Sequence, residues 1–227
     1  MSENKWVVLL GAPGCGKGTQ AEYLINQYGF KTVSVGELLR SNRETIVPEL
    51  GKTIGEVISS GALLPDGIVL DLVRKELKSI GDLNGVNLIY DGFPRTVGQA
   101  EEMDKVAAEF GTKIGYVLNF VVDDEVITKR ILGRYKCSNC GKIYNDFFLK
   151  PEVDGVCDVC GSKEFDRRAD DNEESLKKRL SEYHSKTSAL IEYYTNSGAL
   201  RNIKADADFE EVRHSVLESL NLIEGEK

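Results

Sequence analysis

A glycine-rich loop joins an apolar strand to a helix near the start of the chain, and this arrangement limits the possible folds more than any other feature. Val7–Leu10 is a short apolar run that predicts a buried strand, and a helical pattern follows over Lys17–Tyr28. Between them the sequence reads GAPGCGKGT over residues 11–19. Glycines let backbone N–H groups approach an anion without a Cβ clash, and a helix start adds positive potential. The loop therefore predicts a site for nucleotide phosphates, and a plain strand-to-helix turn is the alternative.

The residues of this loop have separate predicted roles. Lys17 brings a mobile positive charge to the β- and γ-phosphates. The hydroxyl that usually follows the lysine directly comes one residue later, at Thr19, because Gly18 intervenes. The predicted contacts of the loop with ATP are Gly14, Cys15, Gly16, Lys17, Gly18 and Thr19.

Further apolar runs alternate with helical patterns along the chain. The predicted strands are Lys31–Val35, Asn87–Tyr90, Tyr116–Val122 and Leu200–Lys204. Continuous apolar strands separated by helices are typical of a parallel sheet that is covered on both faces. Apolar residues at helical spacing also predict one helix over residues 171–196. We expect an α/β fold in which a five-stranded parallel sheet carries helices on both faces.

Two stretches interrupt this alternation and are predicted to be insertions on the core. Residues 34–64 have helical patterns but no strand pattern, and residues 133–171 are rich in loop signals. The segments 1–33, 65–132 and 172–227 would then build the core.

The second predicted insertion contains a cysteine quartet. Cys137 and Cys140 form one CxxC pair, Cys157 and Cys160 form another, and 16 residues separate the pairs. This spacing matches a Cys₄ zinc site, in which four thiolates complete a tetrahedral shell and leave no position for a substrate. The predicted zinc is therefore structural, and it would stabilise an insertion that has little core of its own. Two disulfides or a redox CxxC are the alternatives, and both are less compatible with a reducing compartment.

Composition and charge exclude several classes of protein. The net charge of −8 argues against bulk binding of nucleic acid, which requires a basic surface, but it permits a local nucleotide site. The first residues lack the apolar core of a signal peptide, and no apolar run is long enough to span a membrane. We expect a cytoplasmic protein that binds neither nucleic acid nor membrane.

Three motifs in order carry a resemblance to a known family. The loop at residues 11–19, the segment DGFPRT at residues 91–96 and the segment RADDNEE at residues 168–174 together resemble the adenylate kinase family. The resemblance extends from about Lys5 to Tyr194, in the family's order. It implies a P-loop NTPase-like core with a helical insert that binds the nucleoside monophosphate and a zinc-containing lid. It also implies a monomer that uses Mg²⁺ and converts ATP and AMP into two ADP.

The resemblance also implies roles for individual side chains. Phosphoryl transfer needs alignment, neutralised charge and excluded water, and arginine suits it because the planar guanidinium grips phosphate at two points. Arg40 and Arg95 would hold the AMP phosphate, and Arg134, Arg168 and Arg179 would close on the transferring phosphates. From sequence alone a solvated surface charge is the alternative for each arginine. That alternative is favoured for Arg130 and Arg179, which lie in charge-rich helical segments. Function is favoured for Arg95, because it follows a buried strand in a loop. The implied catalytic set is Lys17, Arg95, Arg134, Arg168 and Arg179.

The remaining implied contacts concern the bases and the magnesium. Arg130, Ile143 and Tyr144 would lie beside the adenosine of ATP, and Asp91 would organise water around Mg²⁺ or else act as a turn cap. Asp170 and Asp171 would pair with arginines when the lid closes, although one of them could simply cap the following helix. The implied AMP contacts are Val35, Arg40, Ala62, Leu63, Leu64, Gly92, Phe93, Pro94, Arg95, Gln99, Arg168 and Arg179.

The acceptor side departs from the family segment at two positions. Val35 stands where the family has a threonine that is associated with the base, and Glu37 replaces an aspartate. Gln99 favours adenine, because its amide can donate to and accept from the base edge together. The rival predictions are a kinase for UMP/CMP or GMP, an ATP-dependent switch, and a zinc-ribbon module that binds nucleic acid.

Overall fold

The structure is a computed structural model and describes residues 5–60, 62, 64–187 and 189–223. Its first elements are β1 (Trp6–Gly11), α1 (Lys17–Tyr28), β2 (Lys31–Ser34), α2 (Val35–Ser41), β3 (Ile46–Val47), β4 (Lys52–Thr53), α3 (Ile54–Ser59), α4 (Asp66–Ile80), β5 (Leu88–Asp91) and α5 (Val97–Glu109). The following elements are β6 (Ile114–Val121), α6 (Asp124–Leu132), β7 (Arg134–Cys137), β8 (Ile143–Asn145), β9 (Phe165–Asp166), α7 (Glu173–Glu182), α8 (Ala189–Asn196), β10 (Leu200–Lys204) and α9 (Phe209–Ser219).

The central sheet confirms the predicted α/β fold. Its five strands lie in the order β10-β6-β1-β5-β2, and every neighbouring pair is parallel. The carboxyl ends of β1, β2 and β5 therefore meet at one edge, where Asp91 lies opposite both Leu9 and Ser34. The chain passes from β1 to β2 and β5 on one side and then crosses to β6 on the other side of β1. The strand order therefore reverses at β1, and open α/β sheets bind ligands at such a position.

The core forms on both faces of this sheet because strand side chains alternate in direction. Trp6, Val8 and Leu10 of β1 join one buried cluster, which also contains side chains of α4, α5 and α8. Val7 and Leu9 join a second cluster with side chains of α1 and α9. The predicted helices on both faces are therefore present.

Two secondary-structure predictions need correction. Residues 34–64 do contain strands, because β3 and β4 form a two-residue antiparallel ladder with Ile46 opposite Thr53. The predicted helix over 171–196 is α7 and α8 on either side of a π-helical turn at Tyr183–Thr187. Neither feature has a sequence signal, since β3 and β4 are too short for a period-2 pattern and a π turn keeps the helical spacing nearly unchanged.

Residues 134–166 contain a small antiparallel sheet in the order β8-β7-β9, which belongs to the second predicted insertion. Its buried cluster comprises Cys137, Tyr144 and Cys157, with Tyr135 and Phe165 packed against them. Within the described part of the chain, no helix is both long and apolar enough to cross a membrane.

Candidate active site

The glycine-rich loop presents an open helix start at the carboxyl edge of the sheet. Gly16 precedes α1 with φ of 104°, and it offers no side chain to cap the first amides of the helix. Gly14 has φ of 79°, and a Cβ there would lie 2.7 Å from Ile131 Cγ1. Both glycines are therefore required by the backbone path, which leaves N–H groups at the helix start available to an anion.

Lys17 and Cys15 are held within this loop. The Lys17 ammonium donates to the carbonyl oxygens of Gly11 at 2.7 Å and Ala12 at 2.9 Å, and it lies 3.2 Å from Cys15 Sγ. The Cys15 side chain is buried in the core, whereas Gly18 and Thr19 are exposed. The loop thus carries a cation that is hydrogen-bonded to two of the loop's own carbonyl groups.

The DGFPRT segment leaves the neighbouring strand at the same edge. Gly92 has φ of 78°, and the Phe93–Pro94 peptide is cis. The side chains of Phe93 and Pro94 are both buried. The Arg95 guanidinium donates from Nε to the Gly92 carbonyl at 2.9 Å. The Thr187 hydroxyl, in the π turn, donates to the Arg95 carbonyl at 3.1 Å and so helps to fix this backbone. Arg95 is therefore held rigidly beside Asp91.

Five predicted arginines converge near this edge. Burial and the nearby Arg179 lower the pKa of the Arg95 guanidinium, while Asp91 opposes the change. Burial together with Arg134 and Arg40 likewise lowers the pKa of Arg168 and of Arg179. Arginine stays charged despite these shifts, so the cluster is a concentration of positive charge in a partly desolvated place.

Acidic side chains form ion pairs with some of these arginines. Asp171, 2% exposed at its side chain, accepts from Arg134 Nε at 2.7 Å and from Nη2 at 2.5 Å. Asp170 accepts from Arg179 at 3.0 Å. Both implied aspartate–arginine pairs are therefore present, and the cap of α7 is instead Asn172, whose side chain accepts from the Ser175 amide.

Glu37 contacts arginines of both predicted insertions. It pairs with Arg40 on α2, and its carboxylate lies 3.8 Å from Arg168 Nη2. These contacts lower the pKa of Glu37, chiefly through the hydrogen bond from Arg40. Residues 34–64 and residues 133–171 thus approach each other over the arginine cluster.

A cavity of ≈ 210 Å³ lies where these segments meet. It is lined by Glu37, Arg134, Tyr135, Lys136, Gly141, Ile143, Asp166 and Arg168. Ile143 therefore lies at the surface of this cavity, and its contact with ATP stays a prediction. The side chain of Tyr144 does not, because it is buried inside the small sheet and its hydroxyl lies 3.4 Å from Cys157 Sγ. The contact of Tyr144 with ATP stays a prediction.

Arg130 lies on the other side of the loop. Its guanidinium donates to the carbonyl oxygens of Cys15 at 3.3 Å and Ala205 at 3.0 Å, and burial lowers its pKa. Asn145 also donates to the Arg130 carbonyl at 2.8 Å. The arginine therefore joins the phosphate loop to the segment after β10, and it is not a solvated surface charge.

The predicted base contacts include one buried side-chain amide. Gln99 is 3% exposed, and its side chain accepts from the Arg95 amide at 2.7 Å and donates to Asp66 at 2.6 Å. Val35 and Leu64 are buried in the main core, and Ala62 packs against it. Leu63 lies outside the described residues. Asp66 was missed by the sequence analysis because Leu64–Gly67 reads only as a turn.

Four cysteine sulfurs converge in the small sheet. The Sγ atoms of Cys137, Cys140, Cys157 and Cys160 all lie within 4.8 Å of one another, and two pairs are 3.5 Å apart. A zinc–sulfur bond of about 2.3 Å in a tetrahedron places the sulfurs about 3.8 Å apart, so the cluster could hold a metal ion of this kind. The donor set therefore fits the group that the spacing predicted.

The parallel sheet, the glycine loop at its switch point and the arginine cluster define the chain as a nucleotide-binding protein with a P-loop NTPase-like fold. The family model described as "Adenylate kinase" matches residues 9–199, and we conclude that this chain belongs to the adenylate kinase family. It is 44% identical over 217 residues to an adenylate kinase of Paracoccus denitrificans, covering 96% of this chain and 97% of the relative. It is 43% identical over 216 residues to an adenylate kinase of Caldicellulosiruptor saccharolyticus, covering 95% and 99% respectively. Similar proteins of this name therefore match nearly its whole length.

Proposed function

We propose that this chain is an adenylate kinase, which transfers the terminal phosphoryl group of ATP to AMP and forms two ADP reversibly. The observation that carries the proposal is the convergence of Arg40, Arg95, Arg134, Arg168 and Arg179. Besides burial, Arg134 and Arg40 lower the pKa of Arg168 and of Arg179, and Arg179 lowers the pKa of Arg95. Such mutual repulsion is offset when a polyanion binds between the guanidiniums. Two phosphorylated nucleotides that meet end to end supply that charge.

The protein's own residues would act by positioning and by neutralising charge. The loop amides and Lys17 would hold the β- and γ-phosphates of ATP, while Arg40 and Arg95 hold the AMP phosphate in line. Arg134, Arg168 and Arg179 would stabilise the negative charge on the phosphoryl group as it moves. Residues 34–64, the AMP insert, and residues 133–171, the lid, would exclude water, which is a competing acceptor.

Two metals fit the proposal. Mg²⁺, when bound with ATP, would supply further neutralisation of phosphate charge. Asp91 could hold it through water, because this carboxylate lies at the strand edge beside the loop and magnesium keeps several waters. Zinc in the cysteine cluster would have a structural role only, since four thiolate ligands leave no open coordination position for a substrate. We also retain the predictions of a cytoplasmic monomer that binds neither nucleic acid nor membrane.

The test is an initial-rate assay of ATP and magnesium with AMP, UMP, CMP or GMP as the acceptor. We expect ADP formation with AMP at a kcat/KM at least roughly 100-fold above that of the other acceptors, because an unmatched base leaves a buried amide unpaired. A preference for another monophosphate would assign the chain to a different acceptor. ATP hydrolysis without any acceptor phosphorylation, or salt-sensitive RNA binding alone, would contradict a kinase.

A further inference from the structure

The side-chain amide of Gln99 is held by two partners of opposite kind. Its oxygen accepts from the backbone N–H of Arg95 at 2.7 Å, and its nitrogen donates to Asp66 Oδ1 at 2.6 Å. An amide can rotate by a half turn and exchange these two atoms with little steric change. Here the exchange would place the NH₂ group against an N–H donor and the carbonyl oxygen against a carboxylate. The two contacts therefore select one orientation.

The Asp66 carboxylate is itself oriented by a third group. Its second oxygen, Oδ2, accepts from the Thr96 hydroxyl at 3.3 Å. The Thr96 hydroxyl in turn accepts from the backbone N–H of Gln99 at 3.2 Å, because Thr96 is the N-cap of α5. Asp66 lies at the start of α4, and so the network joins the residues that follow the AMP insert to the loop that carries Arg95. The start of α4 is thus hydrogen-bonded to the start of α5 through Asp66, Thr96 and the Gln99 side chain.

The orientation of this amide decides which base edge it can read. After these contacts Gln99 retains one lone pair on its oxygen and one hydrogen on its nitrogen. Adenine offers a donor at its exocyclic amino group and an acceptor at N1, whereas a 6-oxopurine offers the reverse at the same two positions. An amide that rotates freely could pair with either base. An amide with a fixed orientation pairs only with the base whose donor and acceptor face its oxygen and its NH₂ group, respectively.

We infer that Asp66 is a positioning residue that sets the preference for a 6-aminopurine over a 6-oxopurine by preventing rotation of the Gln99 amide. This inference rests on the proposed function, because it assigns the selectivity of the same acceptor site. Asp66 acts through Gln99 and does not need to touch the substrate.

The experiment compares AMP with inosine monophosphate, which differs only in the 6-position and the N1 proton. For the Asp66→Ala variant we expect the ratio of kcat/KM for AMP to that for inosine monophosphate to fall roughly three- to tenfold, mainly through KM. The Arg95 N–H remains as one constraint and limits the loss. Asp66→Asn should restore the ratio, because its amide oxygen still accepts from Gln99 while its NH₂ group can donate to Thr96.

Controls separate this role from helix stability. Asp71→Ala removes an exposed aspartate of the same helix and should leave the ratio unchanged. If Asp66→Ala does not fold, Asp66→Ser keeps a residue suited to a helix start but is too short to reach Gln99, and it should show the same fall. An unchanged ratio in the truncated variants, or an equal fall in Asp66→Asn, would overturn the inference. Absence of AMP phosphorylation in the unmodified protein would instead overturn the proposed function.

Discussion

The proposed AMP insert and the proposed lid both contribute arginines to the cluster, Arg40 and the pair Arg134 and Arg168 respectively, but different forces stabilise the two segments. The insert shares the main core, because Leu39, Val47, Ile54 and Val57 belong to the same buried cluster as the sheet residue Trp6. The lid has a separate cluster of Cys137, Tyr144 and Cys157. An element that shares the core gains stability from hydrophobic burial. A small separate sheet needs another source of stability, which a bound metal ion can supply. We therefore expect the lid to unfold locally more readily than the insert.

We expect the largest effect on kcat when the contact between the lid and the insert is removed. Arg168→Ala removes the lid guanidinium that reaches Glu37 of the insert, and we expect kcat to fall by roughly 10³-fold or more. Arg167→Ala is the matched control, because its guanidinium pairs with Asp146 at 2.8 Å and is 51% exposed. Steady-state rates should separate these neighbours. A loss of similar size in both would show that the lid needs general positive charge rather than this arginine.

Metal removal should affect the lid much more than the insert. With a strong chelator we expect proteolytic cleavage within residues 137–166 to increase by roughly 10²–10³-fold, since the cysteine cluster has little other support. Cleavage within residues 34–60 should change little. Cys157→Ser should reproduce the effect without a chelator. Cys15→Ser should remain chelator-sensitive, because Cys15 lies in the second buried cluster, with Val7 and Leu9, and not among the lid cysteines. Equal protection of the lid before and after metal removal would refute a structural metal.

A cavity in the insert should instead weaken the whole molecule. Ile54 is completely buried in the main cluster, and Ile54→Ala should lower the free energy of unfolding by roughly 3 kcal/mol. The melting temperature should fall by roughly 6–12 °C in one transition. Ile46→Ala, in the same insert but 66% exposed, should change stability by less than about 0.5 kcal/mol. A separate low-temperature transition in Ile54→Ala would mean that the insert, like the lid, unfolds by itself.

The smallest expected effect concerns a hydrogen bond to a cysteine. The Tyr144 hydroxyl donates to Cys157 Sγ at 3.4 Å and accepts from the Asp158 amide at 2.9 Å. Its donation is the main cause that lowers the pKa of the Cys157 thiol. Tyr144→Phe should therefore weaken metal binding by about tenfold, measured by competition with a chromogenic chelator. Tyr135→Phe, whose ring stacks on Tyr144 at 5.8 Å, should leave the affinity nearly unchanged. Equal weakening in both variants would assign the effect to packing.

Local patterns were sufficient to predict most of the fold. The helix over Lys17–Tyr28 and the strand over Leu200–Lys204 have the predicted bounds, and the other sheet strands differ by at most two residues at an end. The failures are the ladder of β3 and β4 and the π turn. These features depend on contacts with neighbouring segments rather than on the period of their own residues.

By itself the sequence determined the glycine loop, the parallel sheet and the cysteine quartet, because each depends on backbone conformation or spacing over a few residues. Tertiary structure decided that five arginines far apart in the chain face one cleft, that Tyr144 is buried among cysteines, and that Asp66 holds Gln99. The physical reason is that charge clustering and amide orientation arise only when distant segments pack together. No periodicity in the sequence encodes the distance between a side chain of the insert and one of the lid.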